Sequence, residues 1–284
     1  MASMRDIKRR KESITSTEQI TKAMKLVATV KLQKARAKAE HSKPYFNYMY
    51  STVTSILASA GNIDHKYLRA GNTGKKAVIV ITSNRGLAGG YNGNIVRKVL
   101  EDGFSKDDTM VYSIGRKGKE MLERKGYTIT KDYSEVINEP LYKDAMEIGE
   151  EVLKGFAEGT ISEIYLAYTS FKNTVSHEPK VVKLLPVEYD NMEIKEEKTT
   201  LMNFEPNEEE VLDEIIPKYM TSLLFGALLE CVASENGARM SAMDAATGNA
   251  EEMIEKLSLE YNRARQSSIT QELTEIIAGA QAIS

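Results

Sequence analysis

An α/β domain inserted between two long terminal helices that pair as an antiparallel coiled coil is the fold this sequence predicts. Three observations predict it. The first 60 residues contain no glycine, and no proline before Pro44; after Pro206 the only proline is Pro217. Apolar residues recur near a period of seven at both ends of the chain. Between them, Ala77-Val-Ile-Val-Ile-Thr82 opens a series of short β-branched runs alternating with helical segments.

The N-terminal segment, residues 1–60, reads as one helix because glycine and proline punctuate almost every other kind of structure. Ser3 with Asp6 forms a capping-box start. The seam then runs through Ile7, Ile14, Thr17, Thr21, Met24, Ala28, Lys31 and Ala35, with Val27, Val30 and Leu32 beside it. Helical to residue 58 or so, it would reach about 85 Å at 1.5 Å per residue.

Residues 61–75, with Gly61, Asn62, Gly71, Asn72 and Gly74, read as a linker. The α/β domain is expected over 76–205. Its strands are Ala77–Thr82, Met110–Ile114, Tyr127–Thr130, Ile164–Phe171 and Lys180–Val187, and its helices Ile95–Asp102, Lys117–Lys125 and Tyr142–Phe156. Alternating strands and helices make a right-handed, Rossmann-like parallel sheet the default. Lys195–Asn203 reads as a charged return.

The C-terminal helix, 206–284, starts at Pro206-Asn207-Glu-Glu-Glu210, with Asn207 as N-cap and Glu210 closing the box. Its seam is Val211, Ile215, Tyr219, Leu223, Gly226, Leu229 and Ala233, then Met243, Ala246, Ala250, Met253, Leu257, Tyr261 and Ala264. Beyond Ala264 the stripe shifts to Ile269, Leu273, Ile276, Ile277 and Ala280, which suggests that the partner helix has ended there. Met24, Met240, Met243 and Met253 are read as core.

Charge is nearly balanced, at 38 basic and 41 acidic side chains, but unevenly placed. Residues 1–43 hold twelve Lys or Arg against four Asp or Glu, a local net of +8, which leaves −11 on the rest. A basic arm on an acidic body implies an acidic partner surface, or a solvated helix face. Cys231 is the only cysteine, so an intrachain disulfide is impossible and a reducing cytosol suits the chain. No apolar run approaches the roughly 20 residues that span a bilayer. The expectation is a soluble protein, docked on a membrane only through others.

One loop could carry chemistry. Asn84 to Asn94 follows a strand and opens a helix, where α/β proteins bind phosphates. Its glycines, at 86, 89, 90 and 93, match neither a dinucleotide fingerprint nor a P-loop. A turn-forming or partner-contacting loop is the preferred reading. His41, His65 and His177 are scattered, and Glu150-Glu151 and Glu251-Glu252 face apart on helices. No catalytic residue, metal site or cofactor is expected.

Three stretches resemble the γ subunit of F-type ATP synthases, in the family's order and spacing over the whole chain. They are Ile20-Thr-Lys-Ala-Met-Lys-Leu-Val27, Thr82-Ser-Asn-Arg-Gly-Leu-Ala-Gly-Gly-Tyr-Asn92, and Tyr261-Asn-Arg-Ala-Arg-Gln-Ser-Ser-Ile-Thr-Gln-Glu272 with Glu275-Ile-Ile-Ala-Gly-Ala280. The resemblance is to bacterial members, since no targeting sequence is seen. It implies a non-catalytic subunit acting as the central rotor shaft. Its partners would be the ring of α and β subunits, the ε subunit and the membrane c-ring, on the cytoplasmic side of the cell membrane without insertion into it. By the same resemblance Lys22, Met24 and Lys25, with Arg85, Gly86, Leu87, Ala88, Gly89 and Gly90, face acidic loops at the base of β. Arg265, Gln266, Thr270 and Gln271 match the family's upper contacts with β. Asn84 stands where Asp is common, which weakens any claim of an ion pair there, and Ala88 where some members have Cys.

Two other classes are weighed. A nucleotide-dependent α/β enzyme with helical arms would bind NADPH or ATP saturably. A nucleic-acid-binding hairpin would show affinity that falls steeply with salt.

Overall fold

The computed structural model of the protein describes residues 4–59, 65–69, 74–174, 176–187 and 207–283. In order these form α1 (Met4–Ser59), β1 (Lys75–Ile81), α2 (Tyr91–Glu101), β2 (Thr109–Ile114), α3 (Arg116–Arg124), β3 (Ile129–Asp132), a 3-10 turn (Val136–Asn138), α4 (Tyr142–Ala157), β4 (Ile161–Phe171), β5 (His177–Leu185) and α5 (Glu208–Ile283). Both terminal helices form as expected and continue through Pro44 and Pro217. The caps proposed at Ser3 and the return at 195–203 lie outside the described residues.

Two compact units result. One comprises Met1–Ala28 with Met240–Ser284, the other Thr29–Arg239, so α1 and α5 each contribute to both.

The larger unit holds a five-stranded sheet of order β3-β2-β1-β4-β5. β1 pairs in parallel with β2 and β4, and β2 with β3. β5 departs from the all-parallel default and runs antiparallel to β4. The reason is local: only a short turn separates them, and a parallel return needs a crossover of a dozen residues or more.

The period of two in β1 sets both layers. Val78 and Val80 face Ile95, Val96 and Val99 of α2 and Leu122 of α3. Ala77, Ile79 and Ile81 face the other core, with Ile148 and Val152 of α4, Val53 and Ile56 of α1, and Leu212, Ile216, Leu224 and Leu228 of α5. Each fully buried Val or Ile contributes about 2 kcal/mol on area grounds.

This placement corrects two expectations. Over 211–233, α5 is not a one-stripe coiled-coil partner. Leu212, Ile216, Met220, Leu224 and Leu228 are buried, as are the predicted Tyr219, Leu229 and Ala233, whereas the predicted Val211, Ile215 and Leu223 pack at the margin of the core. A helix held by a sheet and by another helix buries more than one face. The same burial explains an 18-residue window in Glu209–Gln281 with mean hydropathy 1.4. By length and composition it would cross a membrane, contrary to the sequence expectation, but 56% of it is buried inside the protein.

His65 and Tyr67, in the stretch read as linker, are also buried. The His65 Nδ1 accepts from the Tyr67 N–H (3.3 Å), and Nε2 meets Asp213 Oδ1 at 3.1 Å.

At the turn end of the β4–β5 hairpin, the His177 ring lies 6.0 Å from that of Phe171. It packs so close to α5 that a Cβ on Gly237 would fall 2.8 Å from its Cε1. Both ring nitrogens are buried. Burial therefore holds His177 below the ordinary imidazole value of 6.5, with the Thr174 carbonyl opposing. The folded state binds this proton less tightly than the unfolded state. Stability from the neutral ring is complete above pH 6.5 and is lost as pH falls through that value. A lower Tm at pH 5 than at pH 7 is expected. His177→Phe should flatten that slope in a pH series of thermal melts, and an unchanged slope would rule out the ring as its source.

In the smaller unit the two helices run antiparallel. The Thr21 and Thr247 hydroxyls meet at 2.8 Å in the buried seam, beside Ala28, Met243, Ala250 and Leu257. Thr17 and Met253, assigned to this seam, are exposed; in the larger unit Lys31 is exposed as well, and Leu32 takes the buried position. Met24 and Met240 are half-buried.

Candidate partner-contact site

The loop after β1 is held from below by side chains that the backbone brings to the ends of the parallel strands. The Thr82 hydroxyl donates to the Gly115 carbonyl (3.0 Å) and accepts from the Gly118 N–H (2.9 Å). The Asn92 carbonyl oxygen accepts from the Ser83 N–H at 2.9 Å, and its amide donates to the Ser83 hydroxyl at 2.8 Å. That hydroxyl in turn donates to the Arg85 carbonyl at 2.7 Å. Asn84 uses both ends of its amide, donating to the Ser134 carbonyl (2.7 Å) and accepting from the Arg116 N–H (2.9 Å). A carboxylate could not make the first of these bonds.

So held, the loop turns Arg85, Gly86, Leu87, Gly89 and Gly90 outward and buries Ala88. Ala88 therefore anchors the loop by its side chain. Leu87 stands at its tip, 62% exposed and in the left-handed region with φ 63°. That conformation costs a non-glycine residue about 1–2 kcal/mol, and the supports beneath the loop offset it.

In sheets of this kind a ligand binds outside the carboxyl ends of the strands, where connections leave in opposite directions. Here α5 fills that place. The Cys231 sulfur accepts from the Thr169 N–H at 3.4 Å, the Ser234 hydroxyl donates to the Thr169 carbonyl at 3.2 Å, and Glu230 accepts from the Phe171 N–H at 3.2 Å. On the other side the Tyr91 hydroxyl donates to the Cys231 carbonyl at 3.3 Å. Burial pushes the Cys231 thiol up to about 12, so it is a packing group. The loop also presents carbonyls inward: Arg239 of α5 donates to those of Arg85 (3.4 Å) and Gly86 (3.3 Å). A phosphate cradle needs N–H groups at that position.

In the smaller unit, Lys22, Met24 and Lys25 share one stretch of α1. Both lysines have partners within the unit, Lys22 with Glu18 (2.5 Å) and Glu251 (2.9 Å), Lys25 with Asp244 (2.6 Å). All five side chains except Glu18 remain largely exposed, so their charge still projects outward. In the same stretch Ile20, Leu26 and Val27 are exposed as well.

Farther along α5 every described side chain from 269 to 281 is exposed, including Ile269, Leu273, Ile276 and Ile277. Arg265, Gln266, Thr270 and Gln271 lie on the same helical end, with Gln271 donating to Glu275 at 2.9 Å. Thus the predicted residues fall into three groups: the loop in the larger unit, and the lysine stretch and the helical end in the smaller one.

Sequence reading missed Glu235 and Arg239. Their only signal is an acid four residues before a base on a helix, which is too common to single them out.

A family model described as ATP synthase matches residues 3–283. The chain is 66% identical to the ATP synthase gamma chain of Lachnoclostridium phytofermentans, over the whole of both. It is 39% identical to the sodium ion specific ATP synthase gamma chain of Acetobacterium woodii, covering 99% of this chain and 98% of that one. Among solved structures, a chain from the central stalk and c-ring of Tetrahymena thermophila mitochondrial ATP synthase aligns with TM-score 0.60 and 26% identity, covering 80% of this chain and 99% of that one. A chain of the Euglena gracilis mitochondrial ATP synthase rotor aligns with TM-score 0.69 at 18% identity, covering 94% and 98%, which speaks to the fold.

Proposed function

The chain belongs to the ATP synthase gamma-chain family, and we propose that it acts on the catalytic subunits through the three groups of residues just described. Its function is that of the family. It is the central rotor shaft of a rotary ATP synthase, coupling ion-driven rotation of the membrane c-ring to conformational change in the β subunits. ATP hydrolysis drives the same shaft in reverse. Its partners are the ring of α and β subunits, the ε subunit and the c-ring.

The physical logic is a population shift. A rotor that presents different residues in different directions cannot meet three similar β subunits alike. Each angle favours a different set of open and closed β conformations, by as much as its contacts differ among them. The lysine stretch and the loop at Arg85 supply positive charge for acidic partner loops. Arg265, Gln266, Thr270 and Gln271 supply polar contacts near the end of α5.

One observation carries this reading: the apolar stripe Ile269, Leu273, Ile276 and Ile277 stays exposed on a well-formed helix. Such a stripe implies a surrounding partner, and small residues beside it, Ala278, Gly279 and Ala280, suit a surface that slides.

The chain is a subunit of an enzyme complex, and we assign it no active site of its own. Support comes from α5 filling the crevice in which this type of sheet binds ligands. It is a peripheral part of a membrane-bound complex, and we assign it to the cytoplasmic face of a bacterial membrane, as suits its identity to bacterial gamma chains.

Co-expression with the α and β subunits of the same genome tests the reading. Native mass should show one copy of this chain in a complex with the alternating ring. A chain that stays apart from folded ring subunits would overturn it.

A further inference from the structure

We propose that Glu235 and Arg239 are positioning residues that latch the loop Asn84–Gly90 to α5 and so hold its outer face in the geometry the catalytic subunits meet. The inference rests on the reading that this loop touches those subunits.

One nitrogen does the work. Arg239 Nη2 lies 2.7 Å from Glu235 Oε1, 3.4 Å from the Arg85 carbonyl and 3.3 Å from the Gly86 carbonyl. Its two hydrogens serve the carboxylate and, shared, the two carbonyls. Glu235 fixes the guanidinium from one helical turn away, and the guanidinium fixes the backbone just before the exposed Leu87. The two side chains are only 13% and 12% exposed.

A stability role is the competing explanation, and the electrostatics argue against it. Arg239, Lys31 and Arg85 all favour the charged carboxylate, yet burial outweighs them and raises Glu235 above its ordinary value. A buried pair whose desolvation exceeds its attraction is often replaced by apolar side chains at no cost in stability. What such a replacement would remove is the pair of bonds to the loop. Lysine is a poor substitute, because a single ammonium lacks the planar fork that reaches carboxylate and carbonyls together.

Three variants of the full chain, assembled with its partner subunits in membrane vesicles, test the latch. Arg239→Gln should speed amide exchange over 85–90 about tenfold, and lower ions moved per ATP hydrolysed about threefold. Glu235→Leu with Arg239→Met should do the same while leaving the thermal midpoint of the chain unchanged or higher. The swap Glu235→Arg with Arg239→Glu keeps opposite charges but leaves no donor at 239, so it should fail like the others. Wild-type protection and coupling in the apolar double variant, or in the swap, would overturn the latch.

Leu87→Cys separates this from the reading beneath it, since Cys231 is buried. Cross-linking of Leu87→Cys to a catalytic subunit, with loop protection lost in Arg239→Gln, supports both. Cross-linking with protection unchanged overturns the latch alone. No cross-link within an assembled complex overturns the contact and the proposal with it.

Discussion

Gly115→Ala is expected to destabilise the chain by about 4 kcal/mol or more, a large part of the 5–15 kcal/mol that holds a typical domain together. Gly115 has φ 105°, outside the reach of ordinary side chains, and a Cβ there would fall 2.1 Å from the Thr82 carbonyl oxygen and 2.5 Å from its carbon. Neither atom can yield. The Thr82 N–H donates to the Ile114 carbonyl at 2.7 Å, and the Thr82 hydroxyl serves Gly115 and Gly118. Moving Thr82 would therefore unpick the support of the loop above it. Gly93→Ala is the control, since nothing lies within 4 Å of its would-be Cβ. In helix α2 it should stabilise by about 0.5 kcal/mol. Urea unfolding of the isolated chain measures both. Equal midpoints for the two variants would mean that the tight junction at Gly115 can relax.

Reversing three charges together, Lys22→Glu, Lys25→Glu and Arg85→Glu, is expected to abolish most coupling while leaving a folded chain. Ion uptake per ATP hydrolysed should fall at least about fivefold, since each like-charge juxtaposition at a contact costs on the order of a kcal/mol or more. The intrachain pairs of Lys22 and Lys25 are lost as well, but they lie at the surface, where such pairs contribute about 0–1 kcal/mol each. Neutral substitutions, Lys22→Gln, Lys25→Gln and Arg85→Gln, lose the same intrachain pairs without repelling an acidic partner. They should retain more coupling than the reversal. Full coupling in the reversed variant would show that acidic loops of the catalytic subunits do not meet these residues.

Much of this architecture was legible because it is local. The N-terminal helix follows from the absence of glycine, the C-terminal one from the absence of proline beyond Pro217, and both from repeating apolar positions. The β1 run Val78–Ile81 announces burial on two faces, and the structure places alternate residues in two separate cores. Beyond the change of stripe after Ala264, every described side chain from 269 to 281 is exposed. The family was legible too, through three motifs whose order and spacing span the chain.

What the sequence by itself determined, then, is which segments are helix or strand, which apolar positions need cover, and which family the chain joins. Those are matters of backbone propensity and of periods of two and 3.6 residues, carried by neighbours in the chain. Tertiary structure alone decided that α5 fills the ligand crevice, that β5 turns antiparallel, that Leu32 replaces Lys31 in the buried face, that Lys25 meets Asp244, and that Arg239 reaches back to the carbonyls of Arg85 and Gly86. The α5 fill and the Lys25 and Arg239 contacts join groups at least 59 residues apart in sequence. Their energy depends on the distance and solvent exposure that folding creates, and no local pattern encodes either quantity.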